Sequence, residues 1–202
     1  MIRFASLAAT VLLTGCISLV PPAKELPPRF TLSALSVDAE GERLPVTLAI
    51  ADARAEGAIN TSKIAVRVAP NEIRYLPDGE WSDRVPRILS LLIERSAEEQ
   101  ARFLAVSDRV ALPLADYILF TDIQHFEAVR HSDQESVEVT FRVRLENRTG
   151  RVLAARRFDA TEPMRSDDTA GAAFALDAAA ARATAELGAW VVETVADIEA
   201  AK

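Results

Sequence analysis

Between Val137 and Glu146 the chain alternates without a break. Val137, Val139, Phe141, Val143 and Leu145 are apolar, while Glu138, Thr140, Arg142, Arg144 and Glu146 are polar. A period of two puts these sets on opposite faces of a strand, one buried and one wet or in contact with a partner. Asn147-Arg148-Thr149-Gly150 reads as a hairpin loop, and Val152 to Thr161 returns antiparallel. Upstream, Tyr117 to Phe126 is a third strand. Its first half, Tyr117-Ile118-Leu119-Phe120, is apolar on both faces, as a central strand is.

The earlier chain repeats the theme in shorter pieces. Phe30-Thr31-Leu32, Val46 to Ala53, Lys63 to Val68, Ile73 to Leu76 and Phe103 to Val106 read as strands, with 54–63 as a loop. Pro77-Asp78-Gly79 is a turn signal. A helix follows, with Ser82 or Asp83 as its cap and Pro86 in its first turn. Val85, Ile88, Leu89 and Leu92 form its apolar stripe, which Leu91 and Ile93 widen. Its charged end, Glu94 to Arg102, reads as a solvated helix end. The closing helix is predicted over Thr169 to Ile198, capped by Asp167 or Asp168. One face is predicted to carry Ala170, Phe174, Ala178, Ala181, Ala185, Gly188, Val192 and Val195, and a second apolar side Leu176, Leu187, Val191 and Ile198. Trp190 reads as a core anchor. The order is strands, one helix, three antiparallel strands and a long helix. It predicts an α+β two-layer sandwich, a mostly antiparallel sheet with two helices packed on one face.

The N-terminus changes the picture from a free domain to a tethered one. Arg3 precedes an apolar run, Phe4 to Leu13. That run is far shorter than the roughly 20 residues a membrane-spanning helix needs, and it fits a signal-peptide core. Leu13-Thr14-Gly15-Cys16 reads as a lipobox, and Cys16 is the chain's single cysteine. Residues 1–15 are therefore expected to be a cleaved signal, and Cys16 the lipidated residue. Residues 16–28, with Pro21, Pro22, Pro27 and Pro28, form a tether, and 29–202 one periplasmic domain. At about 3.1 Å per residue an extended tether reaches up to ~35 Å from the membrane. Ile17 is not the aspartate that favours inner-membrane retention, so the outer membrane is expected.

Charge and motif content narrow the function. The formal net charge of the 202-residue chain is -7, and losing Arg3 with the signal makes it -8. An acidic surface repels nucleic acid phosphates, so no nucleic-acid partner is expected. A lone cysteine excludes an intrachain disulfide and a cysteine metal cluster. His125 and His131 stand without an HExxH helix, and neither a Gly-x-Ser-x-Gly elbow nor a glycine-rich phosphate loop is present. Asp167-Asp168 reads as a helix cap rather than a catalytic pair. No catalytic residue, metal or cofactor is expected, which points to binding or assembly. Candidates for a partner interface are Tyr75 and Trp81, around the turn before the first helix. The competing reading for both is burial in the core.

Several short motifs in order resemble the ABC-type transport auxiliary lipoproteins, the group that includes paraquat-inducible protein C. They are the lipobox, then Phe30-Thr31-Leu32, Ile64 to Arg67, Asn71-Glu72-Ile73 with Tyr75, and Trp81. Ala115 to Leu119, Ile123 to Glu127, Ala173-Phe174 and Trp190 complete the series. Ser82 to Pro86 departs from the family, which often has a second tryptophan or an acidic-proline pair there. The resemblance implies a non-enzymatic partner of an ABC permease, its ATPase and an MCE-type substrate-binding protein. Such systems move lipids between the inner and outer membranes. The lipoprotein is expected to dock the periplasmic conduit at the outer membrane, with ring-like self-association. Two other readings stay open: a lipid-binding carrier with an apolar cavity, and an envelope assembly lipoprotein without a transport role.

Overall fold

The inward set of the alternating strand is fully buried, and the molecule is organised around it. In the computed structural model, which describes residues 26–35, 41–130 and 135–202, three long strands form an antiparallel meander. They are β7 (Tyr117–Val129), β8 (Ser136–Asn147) and β9 (Val152–Pro163). Asn147 closes the β8–β9 loop: its side-chain oxygen accepts from the Thr149 amide at 3.1 Å and the Arg151 amide at 2.9 Å. Gly150 supplies the positive φ of 81° that this loop requires. The signal segment, Cys16, Pro21, Pro22 and His131 lie outside the described residues.

The opposite edge of β7 is shared by three short strands in succession. β2 (Thr47–Ile50) pairs with its start, β3 (Arg54–Ala55) with its middle and β4 (Lys63–Ala69) with its end, all parallel. β6 (Ala105–Asp108) lies parallel beyond β2. β5 (Glu72–Trp81) lies antiparallel beyond β4, and β1 (Arg29–Phe30) parallel beyond β5. The described sheet thus has nine strands and is mixed, which corrects the expectation of a mostly antiparallel sheet. The cause is connectivity. β2, β3 and β4 meet β7 only after the chain has crossed over through helix α1 (Val85–Glu99). Parallel neighbours require such a crossover, and local periodicity does not record it.

Three local expectations are also corrected. The segment 54–63 contains β3 rather than loop alone. Pro77-Asp78-Gly79 does not reverse the chain: it lies within β5, at the irregularity where the register to β4 shifts between Tyr75 and Glu80. Pro77 lies where β5 has only β4 beside it, a place where a missing amide is tolerated. Gly79 is required by a close approach: a Cβ there would lie 2.7 Å from the Phe30 ring and 2.9 Å from the Thr169 methyl. Helix α1 starts after Arg84 rather than Ser82 or Asp83, with no side-chain cap.

The closing helix α2 (Thr169–Ala200) starts as expected, with Asp168 accepting from the Gly171 amide at 2.7 Å. Of the predicted sides, Leu176, Leu187 and Val191 are buried, as are Ala181, Gly188, Val192 and Val195, but the first face departs from the expectation at its start. Phe174 is exposed and Ala178 faces solvent, while Ala172, Leu176, Ala179, Ala183, Leu187, Val191 and Val195 are buried. Alanine on every side gives no apolar contrast, so the face is set by the sparse leucines and valines. α2 packs on β7, β8 and β9 and touches α1. Phe141 stacks on Phe158 at 5.7 Å, and Phe158 meets Trp190 edge-on at 5.8 Å. A classical-looking alternation also shifts once: a bulge at Gln124 moves the inward side chains of β7 from Tyr117, Leu119 and Ile123 to Phe126 and Ala128.

One electrostatic latch joins β2 to the start of β7. The Asp116 carboxylate accepts from the Thr47 amide at 3.0 Å and hydroxyl at 2.9 Å, and from Arg148 at 3.1 Å. The Thr47 amide is the main cause that holds this carboxyl below its ordinary value of 3.8. A depressed folded-state value contributes stability above pH 3.8 that is lost as pH falls through the folded value. Asp116→Asn is expected to lower stability at neutral pH and flatten the acid limb, as read from urea midpoints measured against pH.

Candidate functional site

The face of the sheet away from the helices carries the polar set of every long strand, and it is the candidate site. Residues directly opposite in neighbouring strands share a face. Tyr75 lies opposite Ala65, and Ile73 opposite Arg67. Glu127 lies opposite Glu138, and His125 opposite Thr140. These residues form a row that crosses β5, β4, β7 and β8.

At its outer end the row is apolar and accessible. Tyr75 is 41% exposed and Ile73 39%. The Tyr75 hydroxyl donates to the Ala58 carbonyl at 3.2 Å, and Lys63 Nζ stands 5.3 Å from its ring centre. These contacts fix the ring, with Lys63 over it, and still leave the residue exposed. Beside Tyr75, β5 has β4 on one edge only, because β1 pairs no further than Glu80 and Trp81.

Further in, the row is charged and closed. Glu127 is only 1% exposed. Its carboxylate accepts from the Phe126 amide at 2.8 Å, contacts His125 Nδ1 at 2.9 Å and pairs with Arg67 Nε at 3.3 Å. Arg67 also pairs with Glu138. Two carboxylates directly opposite each other would repel, and the guanidinium between them removes that repulsion. The ligand atoms of His125, Glu127 and Glu138 lie within 4.8 Å of one another, a span a cation can bridge. Arg67 already supplies the positive charge there, so we read the cluster as a structural brace. Sequence reasoning missed it. The available signal was Glu127, a lone charge inside the run Phe126 to Val129.

The structure separates the two predicted interface residues. Tyr75 is at the surface. Trp81 is 1% exposed, its ring edge-on to Phe126 at 5.6 Å and its amide bonded to the Ser62 carbonyl at 2.7 Å. It is a core residue that joins β5 to β7. Cys16, the predicted lipidation site, lies outside the described residues. No helix among the described residues is long and apolar enough to cross a membrane.

Residues 30–188 match the family described as the ABC-type transport auxiliary lipoprotein component, and the chain belongs to that family. A crystal structure of a Xanthomonas campestris protein shares the fold, with a TM-score of 0.75 at 24% identity, covering 85% of this chain and 97% of that one. A Chlamydia trachomatis protein superposes with a TM-score of 0.52 at 12% identity, over 75% of this chain and 98% of that one. An uncharacterized protein of Bradyrhizobium diazoefficiens is 28% identical over 152 residues, 75% of this chain. The chain spans 41% of the length of that curated relative.

Proposed function

We propose that this chain is a non-enzymatic docking component of an MCE-type ABC transport system, anchored through acyl chains on Cys16 in the outer membrane. The family match over residues 30–188 carries this reading. The helix-free face, with Tyr75 and Ile73 exposed on β5, is the surface offered to the periplasmic conduit. Self-association into a ring, which the family resemblance implies, has an edge to use: β9 pairs with β8 alone among the described residues. Crosslinking in intact membranes followed by purification is expected to recover an MCE-domain protein. Recovery of no transporter component would overturn the reading.

The carrier reading requires room for an acyl chain between sheet and helices. One cavity between the sheet and the helices, lined by Leu48, Phe103, Leu119 and Leu187 among others, measures about 10 Å³, space for one water at most. This favours docking over carriage.

The anchor has its own test. Labelled palmitate is expected to enter the wild-type chain in cells and to be absent from Cys16→Ser, which should leave the membrane fraction. Labelling that survives Cys16→Ser would place the acyl chains elsewhere.

A further inference from the structure

We infer that the cleft at the carboxyl ends of β2 and β6 binds a phosphate-type oxyanion. The cleft has a volume of about 730 Å³, within the usual range of ligand pockets, about 300–1,000 Å³. Three arginines from three separate elements line it: Arg54 on β3, Arg87 on α1 and Arg109 just after β6. The carboxyl ends of parallel strands are where open sheets leave a crevice for a ligand, and β2 lies parallel between β6 and β7.

The charges in the cleft do not cancel. Asp108 also lines it, but its carboxylate is engaged by the amides of Val110 at 2.7 Å and Ala111 at 2.9 Å. Asp52 is 85% exposed and reaches Arg87 at 3.6 Å, a solvent-screened pair. The Arg54 side chain makes no ion pair or hydrogen bond among the described residues. The Arg109 guanidinium lies over the Phe120 ring, 5.6 Å from its centre. Arg67 and Arg144 are treated differently, since each touches two carboxylates. On a chain of net charge -7, the cleft thus sets three guanidinium groups against two carboxylates, a local surplus of one positive charge.

Guanidinium forks match phosphate and carboxylate oxygens bidentately. Three such forks with a net positive surplus suit a phosphate-type oxyanion, whose monoester form carries about -1.5 to -2 near neutral pH. The Phe120 ring excludes water beside the guanidinium of Arg109 and strengthens its field. The first-turn amides of α1 take no part: Val85 donates to the Thr61 carbonyl, and Arg87 and Ile88 to that of Arg84. Recognition therefore falls to the arginine side chains. The overall acidity of the chain is no objection, because binding depends on the local field.

The test uses the full chain, purified from membranes in nonionic detergent and titrated calorimetrically with orthophosphate and with dihexanoyl phosphatidic acid. Saturable binding is expected, weakened at least tenfold in R54A/R109A and unchanged in R151A, a distant exposed arginine. Thermal midpoints of the variants check folding, and R87Q serves as a second probe if the double variant unfolds. Tighter binding of phosphatidic acid than of orthophosphate would assign a lipid headgroup, and equal binding a free phosphate. No saturable binding of either probe, or binding unaltered in both R54A/R109A and R87Q, would overturn the inference.

Discussion

Trp81→Ala is expected to lower the unfolding free energy by about 3–5 kcal/mol, the range for truncating a large buried aromatic. The side chain is 1% exposed and its edge-on contact with Phe126 ties β5 to the central strand β7. Its amide bond to Ser62 holds the chain at the point where β5 hands over to α1. No smaller side chain fills that space. Trp81→Phe, which keeps a ring beside Phe126 and leaves a smaller cavity, is expected to lose roughly half as much or less, since the cost grows with the volume left empty. Tyr75→Ala, six positions earlier on the same strand, is expected to stay within about 1 kcal/mol of wild type, as surface changes do. Urea unfolding of the three variants reads all these effects. A loss for Tyr75→Ala as large as that for Trp81→Ala would mean that both residues belong to the core and that neither is offered to a partner.

The second large effect is expected at Arg67. Arg67→Met removes the charge between Glu127 and Glu138 and leaves a buried carboxylate facing another at one remove. Breaking a buried pair from one side costs about 3–5 kcal/mol, because the remaining charge is uncompensated. The side chains of Arg67, Glu127 and Glu138 are 20%, 2% and 28% exposed, so solvent screens them little. Removing the Arg67 and Glu127 charges together, in Arg67→Met/Glu127→Gln, is expected to recover much of that loss, since the fully buried carboxylate is gone and the one left unpaired, Glu138, is 28% exposed and reaches solvent. The double-mutant cycle, followed by urea unfolding, isolates the coupling. Additive losses would mean that Arg67 stabilises the sheet by packing its methylene stem, with its charge irrelevant.

How much of this could be read beforehand depends on whether the information was local. The β8 alternation and the Asn147–Gly150 loop are local, and both hold in the structure. So is the amphipathic stripe of α1, where Val85, Ile88, Leu89 and Leu92 are all buried. On α2 the side of Leu176, Leu187 and Val191 was legible, but the placing of Phe174 and Ala178 on a packed face failed, because alanine packs on either side of a helix and carries no orientation. Pro77-Asp78-Gly79 failed because the same residues serve a turn or an edge strand, and the ring of Phe30, nearly fifty positions away, decides between them. The parallel pairings of β2, β3 and β4 on β7 are long-range and leave no periodic trace. Among site residues, Tyr75 was legible as an aromatic on extended chain, with surface and core both open, and its exposure is settled by the strand arrangement around it. The brace of Arg67, Glu127 and Glu138 and the cleft of Arg54, Arg87 and Arg109 were not, since each is assembled from three elements far apart in sequence.

Docking through the helix-free face is tested most directly by placing a photoreactive benzophenone amino acid at position 75 in cells and identifying what it captures. Adducts with an MCE-domain transporter protein are expected from position 75 and not from position 193, an exposed site on the outer side of α2. Adducts from position 193 with none from position 75 would contradict the assignment of the docking face.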